Sequence, residues 1–158
     1  MIYSEKTKKA MAICYKAHFN QTDKGGMPYV FHPYHLAEQM DTEDTICAAL
    51  LHDVLEDTDL TVEELRQEGI DEPVAEALEL LCRRPNLSYF QYIQSLAANP
   101  IAREVKIADL KHNMDLTRLH QPDAEDLKRV KKYREALKIL EDFSERDSTI
   151  DNMHKLCF

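Results

Sequence analysis

The stretch Ala48-Ala49-Leu50-Leu51-His52-Asp53-Val54-Leu55-Glu56-Asp57-Thr58 decides how this chain is read. Its first half, continuing Ile46-Cys47, is apolar almost all round, the pattern of a helix in the centre of a bundle rather than on its surface. Its second half carries four side chains able to ligate a metal or move a proton, His52, Asp53, Glu56 and Asp57. Residues three or four apart share a helix face, so His52 with Glu56, Asp53 with Glu56 and Asp53 with Asp57 project to one side. The charged end is expected to emerge from the core into a cleft, and the segment points to metal-dependent hydrolysis.

With 158 residues, 44% of them hydrophobic, the chain has material for one domain with a real core. Only three glycines, no tryptophan and many Ala, Leu, Glu, Lys and Met residues favour helix over sheet, so the expected class is all-α. No run reaches the roughly 18 apolar residues of a membrane span, and the first residues lack a signal-peptide core. A soluble, cytoplasmic protein without a membrane partner is expected. Cys14, Cys47, Cys82 and Cys157 form no CxxC pair, which speaks against a zinc ribbon or a redox motif and makes three of them core thiols. The net charge of −9 speaks against a duplex nucleic-acid partner, which needs a broad basic surface. A small anionic substrate remains compatible with it, and the oligomeric state stays open.

The six prolines, Pro28, Pro33, Pro73, Pro85, Pro100 and Pro122, fall where helices begin or loops run. A first amphipathic helix is expected from Ser4 to about His18, followed by the loop Asp23-Lys24-Gly25-Gly26-Met27-Pro28. Pro33 opens a short helix to about Met40, and Thr42 or Asp41 caps a central helix ending near Glu56. Thr61-Val62-Glu63-Glu64 is a capping box for a short helix stopped by Gly69. Asp71 caps a helix to about Cys82, Ser88 one to Ala98, and Asn99-Pro100 one to about Leu119. The last helix runs from Gln121-Pro122-Asp123 to about Phe143, with Val130, Tyr133, Leu137 and Leu140 on its apolar stripe. One domain over residues 1–143 and a flexible tail over 144–158 are expected.

Three segments far apart in sequence carry ligands for a hard divalent ion: His32 at a helix start, the His52-Asp53 pair, and Asp109. Two imidazoles and two carboxylates leave room for water or a substrate oxygen on a six-coordinate ion such as Mn²⁺ or Fe²⁺. No Cys is required, which weighs against a structural zinc site. Such an ion makes its water more acidic and stabilises charge on a phosphoryl oxygen. A nearby carboxylate then has only to accept a proton and orient the nucleophile, a role that suits Glu56 and Asp57. Asn113, four residues after Asp109, shares its helix face and could bond a nucleotide or phosphate. His18 and His35 read as structural or surface residues, and Arg83, Arg84 and Arg118 as solvated charges.

These residues resemble the HD-domain phosphohydrolase superfamily, and most closely its guanosine-3′,5′-bispyrophosphate hydrolase branch, which comprises the hydrolase half of RelA/SpoT-type proteins and the metazoan SpoT homologues. Ala17-His18, Gln21, Lys24, Gly26, Pro28-Tyr29 and His32-Pro33 are similar to that branch's opening motif, Ala48 to Thr58 to its central motif, and Val105-Lys106-Ile107-Ala108-Asp109-Leu110-Lys111-His112-Asn113-Met114 to its later one. The resemblance covers roughly residues 4 to 140. It implies an HD-type helical bundle in which His32, His52, Asp53 and Asp109 hold Mn²⁺ and Glu56 and Asp57 form the catalytic pair. It also implies that Lys24, Asn113 and Tyr133 contact the nucleotide. Asp23 stands where the resemblance places an Arg, and an Asp can neither stack on a base nor offer donors to a phosphate. The substrate therefore stays open between a guanosine 3′-pyrophosphate and another nucleotide. A non-catalytic nucleotide-binding regulator would show a broken ligand set, whereas this set is intact.

Overall fold

The computed structural model describes residues 1–119 and 121–156; of residues 148, 150 and 151–156 only the helical backbone is described. The expected all-α class holds: helices α1 (Glu5–His18), α2 (Phe31–Ala37), α3 (Glu43–Leu51), α4 (Val54–Asp57), α5 (Val62–Gln67), α6 (Glu72–Leu81), α7 (Tyr89–Leu96), α8 (Pro100–Met114) and α9 (Ala124–Leu156), with a 3₁₀ turn over Leu116–Arg118. Among the described residues the only β feature is an isolated bridge between Thr22 and Pro28. Among the described residues no helix is long and apolar enough to cross a membrane.

Local chemistry starts and stops these helices largely as the sequence reads. Ser4 with Thr7, Thr42 with Thr45, Thr61 with Glu64 and Ser88 with Gln91 form reciprocal capping boxes at the starts of α1, α3, α5 and α7. The Asn99 side chain caps α8 and Pro100 occupies its first turn. Gly69 ends α5 with φ of 84°, its N–H on the Arg66 carbonyl and the Ile70 N–H on the Leu65 carbonyl, a Schellman arrangement. Asp71 sits at the N-cap position of α6 without capping it, because its carboxylate pairs with Lys6 on α1.

Helix α3 is the axis of the fold. Ala48, Ala49, Leu50 and Leu51 have no exposed surface, and α1, α2, α6 and α8 pack around them. The apolar run is therefore buried on all sides, as its pattern demands. Cys14 and Cys47 are buried and Cys82 half-buried, as free thiols, and burial pushes the first two up to about 12 and about 11. Cys157 lies outside the described residues.

Four expected boundaries move. The central helix breaks at His52-Asp53, where Asp53 takes φ −99° and ψ −7°, and resumes as the single turn α4. Helix α2 begins at Phe31 and ends at Ala37 instead of Met40. Helix α8 ends at Met114, where the Asp115 side chain accepts from the Thr117 N–H and starts the 3₁₀ turn. Helix α9 does not stop near Phe143 but continues to Leu156. Past Phe143, Asp147 reaches back 2.6 Å to Arg103 of α8, a buried guanidinium that also donates to the Ala97 carbonyl. A buried Arg needs a counter-charge, so the sequence beyond the apolar stripe still has a tertiary partner.

Leu50→Ala should lower unfolding free energy by about 2–5 kcal/mol in urea titrations, since the cavity is ringed by helices that cannot collapse into it. Leu127→Ala, on the exposed side of α9, should change it by less than about 0.5 kcal/mol.

Candidate active site

The break after Leu51 turns His52 and Asp53 toward α2 and α8. His52 Nε2 lies 2.9 Å from Asp53 Oδ2 and 3.2 Å from His32 Nε2, and His32 Nε2 lies 3.2 Å from Asp109 Oδ1. The two diagonals, His32 to Asp53 and His52 to Asp109, measure 3.8 and 3.9 Å. Residues from α2, the α3–α4 break and the middle of α8 thus converge, as the sequence predicts for His32, His52, Asp53 and Asp109. His32, His52 and Asp109 are buried, and the Asp53 side chain is 22% exposed.

Hydrogen bonds aim the ligand atoms. The His52 Nδ1–H donates to the Ala49 carbonyl at 2.8 Å, which leaves the Nε2 lone pair facing the cluster. Asp53 Oδ2 accepts from the Tyr29 hydroxyl. Asp109 is held at both oxygens: Oδ2 pairs with Lys106 Nζ at 2.8 Å, and Oδ1 accepts from the Asn113 amide.

The charges state the same requirement. Burial opposes the ionised form of both carboxylates, yet both remain ionised: His52 beside Asp53, with the Tyr29 hydrogen bond, holds Asp53 down at about 2, and Lys106, His32 and His52 hold Asp109 well below the usual range. Burial works against protonation of His52 too, but the Asp53 and Asp109 carboxylates overcome it and raise His52 to about 9. Against two buried carboxylates Lys106 supplies one positive charge, and a proton on His52 completes the balance. A divalent cation in a central position would also offset the two carboxylates. The donor atoms fit one, since cis ligands on an octahedral ion with bonds of about 2.1 Å stand roughly 3 Å apart. Two imidazoles, two carboxylates and no thiolate suit a hard to borderline divalent ion.

His32 and Asn113 open onto a cavity of about 300 Å³ whose wall also includes Lys24, Tyr133, Arg118 and Arg129. The three expected substrate contacts, Lys24, Asn113 and Tyr133, thus share one cavity. Lys24 Nζ is 3.2 Å and Arg129 Nη2 2.7 Å from Asp126 Oδ1, a buried carboxylate that anchors both cations. Glu56 and Asp57 are exposed and do not line the cavity. Gln21 does: its amide donates to Asp57 Oδ2 at 2.7 Å and its carbonyl accepts from His18 Nδ1. Glu56 accepts from the Arg83 backbone N–H.

Sequence reasoning missed Arg129 and the supporting residues Gln21, Tyr29, Lys106 and Asp126. The signal for Arg129 was its position one turn before Tyr133 on the same face; the others needed distances. His18 is buried at the back of the site, as expected of a structural residue, and His35 is exposed. Arg83 and Arg84 are exposed, whereas Arg118 is half-buried in the cavity wall.

Lys106→Met should destabilise the metal-free protein by about 3–5 kcal/mol, because Asp109 stays buried without its counter-charge. Urea titration with a chelator and again with saturating Mn²⁺ checks this, and the loss should shrink in the presence of the ion.

Comparison with known proteins gives the family of the chain. The chain matches the HD domain family model over residues 10–150. It is 38% identical over 91 residues to the guanosine-3′,5′-bis(diphosphate) 3′-pyrophosphohydrolase of Aquifex aeolicus (strain VF5), covering 55% of this chain and 13% of that one. It is 31% identical over 157 residues to the bifunctional (p)ppGpp synthase/hydrolase SpoT of Escherichia coli (strain K12), covering 90% of this chain and 22% of that one. The chain thus spans about a fifth or less of the length of these relatives. A solved structure described as "A metazoan ortholog of SpoT hydrolyzes ppGpp and plays a role in starvation responses" superposes with a TM-score of 0.70 at 23% identity, covering 90% of this chain and 87% of that one, a likeness of fold. With the family model matched across residues 10–150, the chain belongs to the HD domain family.

Proposed function

We propose that this protein is a metal-dependent nucleotide phosphohydrolase and that its substrate is guanosine 3′,5′-bispyrophosphate, from which it releases pyrophosphate. The observation that carries the reading is the buried group His32, His52 and Asp109, with the half-buried Asp53 beside it, opening onto a cavity lined by Lys24, Asn113 and Tyr133. The relatives named as hydrolases or synthase/hydrolases of this nucleotide support the choice of substrate.

In this reading His32, His52, Asp53 and Asp109 hold one divalent ion; two imidazoles and two carboxylates suit Mn²⁺ and Fe²⁺ alike, and the family resemblance favours Mn²⁺. When bound, the ion acidifies water and draws charge from a phosphoryl oxygen. Water adds to the phosphorus attached to the 3′ oxygen, and the bond between that oxygen and phosphorus breaks. Glu56 and Asp57 take the proton from the water and return one to the 3′ oxygen. The products are pyrophosphate and GDP, or GTP from the pentaphosphate. Lys24 and Asn113 bind the phosphates and Tyr133 the nucleoside, while the amide of Gln21 orients Asp57. Residues 1–143 act as one catalytic domain.

A second reading, hydrolysis of another nucleotide, is favoured by one observation: Asp23, not an Arg, lines the cavity. Turnover across a nucleotide panel separates the two.

Wild-type protein with Mn²⁺ should release pyrophosphate from guanosine tetraphosphate. No turnover there, with turnover of another nucleotide, retires the guanosine substrate and keeps the hydrolase. His52→Ala and Asp53→Ala should lose bound metal and turnover together, and unchanged values of both would sink the metal centre. Glu56→Gln should keep the metal and lower kcat by about 10²-fold or more.

A further inference from the structure

We propose that Asp23, Arg118 and His112 form a positioning relay that sets which imidazole nitrogen of His32 carries the proton, and so leaves the lone pair of the other toward the metal site. The proposal rests on the metal-centre reading above and assigns work to the residue that departs from the family pattern.

The relay begins in the loop between α1 and α2. Asp23 Oδ1 accepts the backbone N–H groups of Gly25 and Met27, at 2.8 and 3.0 Å, and so shapes the turn that Gly26 completes with φ of 80°. Asp23 Oδ2 remains for Arg118 Nη2, 3.0 Å away. Gly25 lets the loop approach: a Cβ there would stand 3.2 Å from the Arg118 carbonyl. Asp23 and Arg118 thus form an ion pair in the cavity wall, with the Asp23 carboxyl held below its ordinary range despite burial, by those two N–H groups and by Arg118.

Direction along the relay follows from Arg118, whose nitrogens can only donate. Its Nη1 lies 3.3 Å from His112 Nδ1 and 3.4 Å from the His112 carbonyl, and a cation that only donates, set against that ring nitrogen, favours the tautomer in which His112 Nδ1 accepts. His32 Nδ1 faces that same atom at 2.6 Å, with the two ring planes 9° from parallel. Two nitrogens at this distance share one proton, and with His112 accepting, the proton sits on His32 Nδ1. The His32 lone pair is therefore on Nε2, the atom 3.2 Å from both His52 Nε2 and Asp109 Oδ1. Remove Arg118, and His112 can carry its proton on Nδ1 and donate to His32, which moves the His32 proton onto the ligand nitrogen. His52 obtains the same orientation from a backbone carbonyl, which no side-chain change removes.

Mn²⁺ titrated into the metal-free full chain by calorimetry tests the relay. Arg118→Met should weaken binding about 10- to 100-fold, while Arg118→Lys, which still only donates, should keep most of the affinity. Asp23→Arg, which sets two guanidinium groups against each other, should weaken it as well, and Asp23→Asn combined with Arg118→Met should be no worse than Arg118→Met alone. Nitrogen-15 shifts of the His32 ring in the metal-free protein should show Nδ1 protonated in the wild type and the two tautomers mixed in Arg118→Met. Wild-type affinity and an unchanged His32 tautomer in Arg118→Met would overturn the relay. Undiminished Mn²⁺ binding by His32→Ala would overturn the metal centre itself, and the relay with it.

Discussion

Two carboxylates, Asp53 and Asp109, stand in one buried cluster, and most of what surrounds them answers to that constraint. Ionised groups taken out of water need counter-charges and hydrogen bonds, or the fold loses several kcal/mol to each. Lys106 pairs with Asp109, Tyr29 donates to Asp53, and the His52 imidazole stands between the two acids. These partners come from the loop after α1, the end of α3 and the middle of α8. The electrostatic balance therefore ties together segments that the apolar core alone would allow to slide.

The core supplies the rigidity that makes such an arrangement tenable. Helix α3 is surrounded by α1, α2, α6 and α8, and its last turn delivers His52 with its Nδ1 already bonded to the Ala49 carbonyl. Had α3 continued unbroken, Asp53 would leave the helix at a fixed angle from His52; the turn at Asp53 lets the pair address one centre. The short helix α4 then leaves Glu56 and Asp57 exposed, with Asp57 bonded to Gln21 in the cavity wall and Glu56 to the Arg83 backbone.

One loop, residues 19–30, reaches most parts of the site. Gln21 bonds Asp57, Asp23 bonds Arg118, Lys24 pairs with Asp126 on α9, and Tyr29 bonds Asp53. An acidic chain with net charge −9 can thus present cations to a small anion, because Asp23 and Asp126 spend their charge holding Arg118, Lys24 and Arg129 in the wall of one cavity. The cavity differs from the surface average because its charges are placed individually.

The all-α class, the caps at Ser4, Thr42, Thr61, Ser88 and Asn99, the stop at Gly69 and the convergence of His32, His52, Asp53 and Asp109 were legible in the sequence. Caps and breakers act within three or four residues, and a helix that is apolar all round must lie in the core and deliver its polar end to an internal cleft. What remained hidden were contacts made across long stretches of chain. The turn at Asp53 serves a cluster completed by Asp109, the length of α9 lets Asp147 reach Arg103, and Asp23 finds its partner in Arg118, 95 residues further on. The sequence by itself determined which side chains are chemically able to bind a metal or move a proton, because their type and local spacing set what they can bind. Only the tertiary structure decided how each is aimed and neutralised, because hydrogen bonds and ion pairs act over about 3 Å in space and are blind to separation along the chain.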